Sequence, residues 1–115
     1  MRQTGKLDYL ELPAANGTID TMKSFYARAF AWSFTDYGPD YAAFSEGLDG
    51  GFDGTSAEAT TIPLPVLYSS DLEATEAAVV EAGGTIVRPI FAFPGGRRFH
   101  FTDPAGNELA VWSES

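Results

Sequence analysis

The sequence contains no cysteine and only one histidine, His100. The lack of cysteine excludes disulfides, thiol nucleophiles, zinc–thiolate sites and iron–sulfur clusters. Basic residues are also scarce, since seven Lys and Arg accompany 16 Asp and Glu, for a net charge of −9. This balance argues against nucleic acid and against an anionic membrane as partners. No apolar run approaches the roughly 20 residues of a membrane-spanning helix, and the N-terminus lacks a signal-peptide core. We therefore expect a cytoplasmic protein.

Aromatic residues are plentiful instead, with nine Phe, five Tyr and two Trp. In the first half of the chain, segments with the alternating apolar and polar residues of strands lie on both sides of one segment with helical spacing. LDYLELP predicts a strand that ends at Pro13 and packs through Leu10 and Leu12. NGTIDTMKSFYARAF predicts an amphipathic helix, whose stripe contains Ile19, Met22, Tyr26 and Phe30. AWSFTDY, YAAFSEG and GGFDG then predict three strands separated by turns.

The second half repeats this order of elements. IPLPVLYS predicts a strand, and SSDLEATEAAVVEAGG predicts a helix. Ser70 and Glu73 have the spacing of a capping box, and Gly83-Gly84 marks the end of the helix. TIVRPIF predicts the next strand, and RRFHFT and NELAVW predict a hairpin across DPAG. Asp103 and Asn107 are expected to fix this turn through side-chain bonds to the backbone.

The repeated order predicts a single α+β domain built from two strand–helix–strand–strand–strand units. The units cover about residues 5–54 and 61–114, and the Gly-rich stretch at about 46–61 is the candidate linker. An unrelated α+β sandwich with similar spacing is the alternative.

Four segments resemble, in order, those of the vicinal oxygen chelate superfamily, which includes glyoxalase I, bleomycin-resistance proteins and extradiol dioxygenases. They are LDYLELP, KSFYARAFAWSF, SSDLEATEAAVVEAGGTIV and DPAGNELAVW. The resemblance covers nearly the whole chain. It implies two βαβββ units that pair curved mixed sheets into a cup, with the helices outside and the ligand inside.

The resemblance also implies two metal ligands in each half, one on the first strand and one on the last. The first of these positions holds Tyr9, whose neutral phenol is a poor metal ligand. The other three hold residues without a ligating side chain, namely Gly51 or Phe52, Leu64 and Ala110. Asp53 and Glu108 are the nearest carboxylates, and whether they support an atypical weak site stays open. We expect no metal and no other cofactor, and therefore neither metal-dependent glyoxalase I activity nor dioxygenase activity.

The strand period and the family's ligand positions together predict which side chains line the cup. They are Tyr9, Glu11, Leu64, Val66, Tyr68, Arg98, His100, Ala110 and Trp112. Phe99 and Phe101 should lie on the opposite, core side of their strand. The polar members have structural alternatives: His100 as a hydrogen-bonded structural residue, Glu11 as an exposed edge residue, and Arg97 and Arg98 as partners of nearby acids.

The leading functional hypothesis is a protein that binds a small organic molecule in this aromatic cup without a metal, as a homodimer. Tyr68 and Trp112 could stack on a flat ligand. The second hypothesis is a metal-independent isomerase or lyase that uses Glu11 and His100 for acid–base chemistry. The third is a non-catalytic, oligomerising accessory domain.

Overall fold

The computed structural model describes residues 2–14, 18–54 and 62–115. Its elements run in the order β1 Leu7–Pro13, α1 Ile19–Phe30, β2 Thr35–Asp36, β3 Tyr41–Glu46, β4 Leu48–Asp53, β5 Leu64–Tyr68, α2 Leu72–Glu81, β6 Thr85–Phe93, β7 Gly96–Thr102 and β8 Glu108–Ser113. The α+β class and the two βαβββ halves are thus confirmed. No helix in the described part of the chain is long and apolar enough to span a membrane.

The chain forms two compact units. Tyr9–Leu64 make up the first, and Met1–Asp8 with Pro65–Ser115 make up the second. The predicted linker is wrong over its first half, because residues 48–53 form β4, which pairs with both β1 and β3. Residues 55–61 of that stretch lie outside the described residues.

In the first unit the strands have the order β2-β3-β4-β1. β1 runs parallel to β4 with Glu11 opposite Gly51, and β3 runs antiparallel to β4. One face of these strands packs on α1 through an aromatic core. Phe52 is fully buried there, beside Tyr26 and Phe44. Phe30, the last member of the predicted amphipathic stripe, is 60% exposed at the C-terminal end of the helix.

In the second unit the strands have the order β5-β8-β7-β6. β5 runs parallel to β8, and β8 and β6 each run antiparallel to β7. Phe99, Val111 and Leu72 form the buried centre of the α2-facing core, and Phe101 packs against it. This confirms the predicted core side of β7. The opposite face of β6, β7 and β8 is called the C-terminal face below.

The second helix begins differently from the prediction. Its N-cap is Asp71, whose carboxylate accepts a hydrogen bond from the backbone N–H of Ala74 at 3.1 Å. The predicted capping box is therefore wrong: Asp71 supplies the cap, and Glu73 pairs with Arg97 at 2.6 Å instead. The turn prediction is confirmed, since Asp103 Oδ1 accepts from the backbone N–H of Asn107 at 2.9 Å.

Helix α1 ends at Ala31, which has a φ of 61° in the left-handed region. This conformation suits glycine, because a Cβ atom there meets the backbone. We expect Ala31→Gly to raise the free energy of unfolding by roughly 0.5–1 kcal/mol. Urea unfolding measures this change. Ala27→Gly, inside the same helix and exposed, should instead lower stability by about 1 kcal/mol. Equal losses for the two variants would contradict the assignment.

Candidate functional site

The single histidine lies on the C-terminal face, in the middle of β7. Its side chain is fully buried, and its ladder partners are Ala110 on β8 and Arg88 on β6. His100 Nδ1 lies 2.9 Å from Glu108 Oε2. Because a carboxylate accepts hydrogen bonds, this contact assigns the proton of the neutral imidazole to Nδ1. Nε2 is buried and has no hydrogen-bond partner among the described residues.

The surroundings of His100 favour its neutral form. Burial lowers its pKa below the usual 6.5, and the positive charges of Arg98 and Arg88 act in the same direction. The hydrogen bond to Glu108 opposes this shift without overcoming it. A neutral imidazole with Nδ1 protonated carries a lone pair on Nε2, which can accept a hydrogen bond or a proton.

This lowered pKa predicts a pH dependence of stability. The unfolded chain binds a proton at His100 below pH about 6.5, whereas the folded chain resists it. The free energy of unfolding should therefore fall as the pH decreases from about 6.5 toward the folded pKa. His100→Asn removes this contribution, so its stability relative to the parent should improve between pH 7.5 and 5.5 in urea titrations. A pH-independent difference between the two proteins would contradict the prediction.

Aromatic rings surround the histidine on the same face. The Phe91 ring lies 5.8 Å from the imidazole, and Phe93 lies 6.4 Å from Trp112. The Arg88 guanidinium lies over Phe91 at 4.0 Å, and that of Arg98 lies 5.5 Å from the same ring. Two register shifts in β6 create this arrangement, because they put Arg88 opposite His100 and Phe91 opposite Arg98.

Tyr68 and Trp112, predicted to stack on a ligand, contact each other edge to face at 5.5 Å. The indole N–H of Trp112 donates to Asp8 at 3.0 Å, and the Tyr68 hydroxyl donates to Glu114. Val66 and Ala110 are buried and pair across β5 and β8. Arg97 pairs with Glu73, as its structural alternative proposed.

The remaining predicted residues belong to the first unit. Tyr9 and Tyr41 share a hydrogen bond of 2.6 Å, and the Tyr41 hydroxyl donates to Glu11 at 3.2 Å. Glu11 is buried, so the exposed-edge alternative is wrong. Burial raises the pKa of both tyrosines, and the charge of Glu11 adds to the effect, so both phenols stay protonated. Leu64 is fully buried.

The two predicted acid–base residues thus belong to different units of the chain. Glu11 contacts Tyr41 in the first unit, and His100 contacts Glu108 in the second. The sequence interpretation missed Tyr41 and Phe91. Tyr41 had a signal, because a glycine at position 51 leaves room for its ring. No sequence signal indicated Phe91, because the face of β6 on which its side chain lies depends on the two register shifts in that strand.

Comparison with known proteins now decides the family. A sequence model of the Glyoxalase/Bleomycin resistance protein/Dioxygenase superfamily matches residues 6–111. The chain belongs to this superfamily. No curated protein matches the sequence significantly.

Several solved structures share the fold of this chain at low sequence identity. An NAD-dependent benzaldehyde dehydrogenase from Legionella pneumophila has a TM-score of 0.74 at 14% identity, covering 93% of this chain and 98% of that one. A Mn(II)-bound glyoxalase from Novosphingobium aromaticivorans scores 0.66 at 21%, covering 99% of this chain and 40% of that one. A methylmalonyl-CoA epimerase from Mycobacterium tuberculosis scores 0.66 at 12%, with 100% and 91% covered.

The residues at the superfamily's metal positions do not fit a metal. Leu64 and Ala110 are fully buried and carry no donor atom, and the Tyr9 hydroxyl is bonded to Tyr41. Glu108, the carboxylate nearest Ala110 in the sequence, is hydrogen-bonded to His100. Within residues 2–14, 18–54 and 62–115, no three His, Asp or Glu side chains come together as a metal site.

Proposed function

We propose that this protein binds a small organic molecule at the C-terminal face without a metal. The observation that carries the proposal is the Nε2 atom of His100, which is buried and has no partner in the described part of the chain. Buried polar atoms in native proteins are nearly always hydrogen-bonded. A polar group of a ligand would supply the missing partner.

The neighbourhood of His100 supports this proposal. Phe91, Phe93 and Trp112 contribute apolar rings, and Arg98 contributes a charged group on the same face. Binding sites for small molecules typically combine apolar walls with a few well-placed polar groups. We propose binding without a metal because the side chains at positions 64 and 110, Leu64 and Ala110, have no atom that could ligate one.

A second candidate function is acid–base catalysis of the isomerase or lyase type. The orientation of His100 by Glu108 favours it, because a neutral imidazole with a free lone pair is a competent proton acceptor. Glu11, whose carboxylate accepts a hydrogen bond from Tyr41, is the second candidate acid–base residue. An enzyme should lose turnover in His100→Asn and Glu11→Gln, whereas a binding protein should change only in affinity.

A thermal-shift screen of protein freed of metal by chelation tests the proposal. The panel contains small aromatic acids, planar antibiotics, neutral metabolites and the divalent ions of Zn, Mn and Ni. An organic ligand at 100 times its Kd should stabilise the protein by about 2.7 kcal/mol, and His100→Asn should reduce this shift. A panel in which only divalent ions stabilise the protein would overturn the proposal. A stable oligomer without any ligand effect would support the accessory-domain hypothesis.

A further inference from the structure

The segment that precedes β1 covers a tryptophan of the C-terminal face. The Arg2 guanidinium lies over the Trp112 indole, 5.0 Å from the centre of the ring, and Arg2 Nε donates to Asp8 Oδ2 at 3.3 Å. Trp112 and Ala110 are alternate residues of β8, and Ala110 is the ladder partner of His100. Because alternate residues of a strand share one face, the indole lies on the same side as the imidazole. Arg2 therefore occupies a ring surface that the proposed ligand would use.

The indole is fixed by contacts that do not involve Arg2. Its N–H donates to Asp8 Oδ2 at 3.0 Å, and the Tyr68 ring meets it edge to face with the ring centres 5.5 Å apart. Asp8, Tyr68 and Trp112 belong to the strands β1, β5 and β8. The indole should therefore stay in place when the guanidinium leaves, as a flat apolar surface on which a ligand ring can stack.

Arg2 itself lies outside the strands and is weakly held. Its segment is attached to the end of β5 by the Gly5 N–H, which donates to the Tyr68 carbonyl at 2.9 Å. The Thr4 hydroxyl also accepts from the Ser70 N–H at 3.0 Å. Arg2 lies beyond both attachments, and its side chain is 47% exposed. Because exposed ion pairs and exposed cation–π contacts are individually weak, the guanidinium can leave the indole while residues 4 and 5 stay attached.

We infer that Arg2 is a displaceable cover of Trp112 on the C-terminal face. In the closed state the guanidinium lies over the indole and is held by Asp8. A flat organic ligand that stacks on Trp112 takes the place of the guanidinium, so its observed affinity is reduced by the fraction of molecules in which the cover is closed. The displacement by a ligand rests on the proposed function, whereas the closed contact is a property of the protein without ligand.

Quenching of Trp112 fluorescence by acrylamide tests the cover without any ligand. The chain has two tryptophans, so a Trp32→Phe background leaves Trp112 as the single emitter. Arg2→Gln should raise the Stern–Volmer constant about twofold, because the guanidinium no longer shields the ring. Its matched control is Lys6→Gln, which removes the same charge from an exposed residue of the same segment and should leave the constant unchanged. An unchanged constant in Arg2→Gln, or equal increases in both variants, would overturn the inference.

A second variant assigns the closed state to the ion pair with Asp8. In Asp8→Asn the amide oxygen can still accept from the indole N–H, whereas the charge that attracts Arg2 is lost. This variant should also raise the quenching constant, and adding Arg2→Gln to it should raise the constant little further, because both changes open the same contact. Additive increases would overturn the inference. If the Trp32→Phe background does not fold, the same comparison is made with both tryptophans present, and Trp112→Phe supplies the signal of Trp32.

Isothermal titration calorimetry with the flat neutral compound 2-naphthol tests the displacement. Because the probe carries no charge, the loss of a positive charge does not by itself change its affinity. It should bind Arg2→Gln about fivefold more tightly than the parent or Lys6→Gln, since no cover has to be displaced. Equal affinities for the parent and Arg2→Gln, or binding to neither, would overturn the displacement.

The inference and the proposed function fail in distinguishable ways. If Arg2→Gln changes neither quenching nor 2-naphthol binding while an organic compound from the thermal-shift screen stabilises the parent, the inference is overturned and the proposed function is retained. If quenching confirms the cover but no organic compound binds, the proposed function is overturned and the displacement with it.

Discussion

Replacing Glu108 by alanine is expected to lower the free energy of unfolding by about 1–3 kcal/mol. The variant leaves the buried Nδ1–H of His100 without its acceptor, which lies at 2.9 Å in the parent protein. The cost of a buried donor without a partner exceeds the net value of an ordinary hydrogen bond. Urea unfolding at pH 7.5, where the imidazole is neutral, measures the loss.

Glu108→Gln is the matched control for this prediction. The amide oxygen of glutamine can still accept from Nδ1–H, whereas the negative charge is removed. The control should therefore lose clearly less stability than Glu108→Ala. Equal losses in the two variants would show that the hydrogen bond to His100 does not fix the imidazole.

Replacing Gly50 by alanine is expected to have a still larger effect, a loss of about 3 kcal/mol at the upper end of overpacking costs. A Cβ atom at this position would overlap the backbone oxygen of Leu10, its ladder partner on β1, and also the Phe44 ring. The backbone of β1 cannot move away without breaking the parallel ladder to β4. Thermal and urea unfolding measure the loss.

Gly51→Ala gives the comparison for Gly50. Its added methyl would overlap the Tyr41 phenol, a side chain that can shift where the backbone of Leu10 cannot. The shift would strain the hydrogen bonds of Tyr41 to Tyr9 and Glu11, so the expected loss is smaller than for Gly50 but still about 1–2 kcal/mol. In a Tyr41→Ala background the same substitution should cost almost nothing, because the overlapping ring is gone. Additive losses in the double variant would contradict the assigned packing between Gly51 and Tyr41.

The sequence predicts the fold well because its strongest signals are local. The alternation in LDYLELP, the punctuation by Gly83-Gly84 and the DPAG turn each depend on neighbouring residues, and the elements form there. The helix start was wrong by one residue, since Ser70 and Asp71 are both good caps and only the backbone geometry decides between them.

The candidate site was less predictable, because it depends on register and on long-range pairing. Strict alternation in TIVRPIF would put Arg88 on the same side as Ile86 and Ile90. The shifts in β6 instead place Arg88 opposite His100, while the two isoleucines pack on the α2-facing core. No property of these side chains alone encodes those shifts. Likewise, the bond between Tyr41 and Glu11 joins residues 30 positions apart.

The state of His100 tests the central claim most directly, because the chain has no other histidine to confuse the spectrum. A long-range proton–nitrogen NMR correlation of the imidazole at pH 7.5 reports which ring nitrogen carries the proton. The account predicts a neutral ring with Nδ1 protonated and Nε2 unprotonated, ready to accept from a ligand. A ring protonated at Nε2, alone or together with Nδ1, would contradict it.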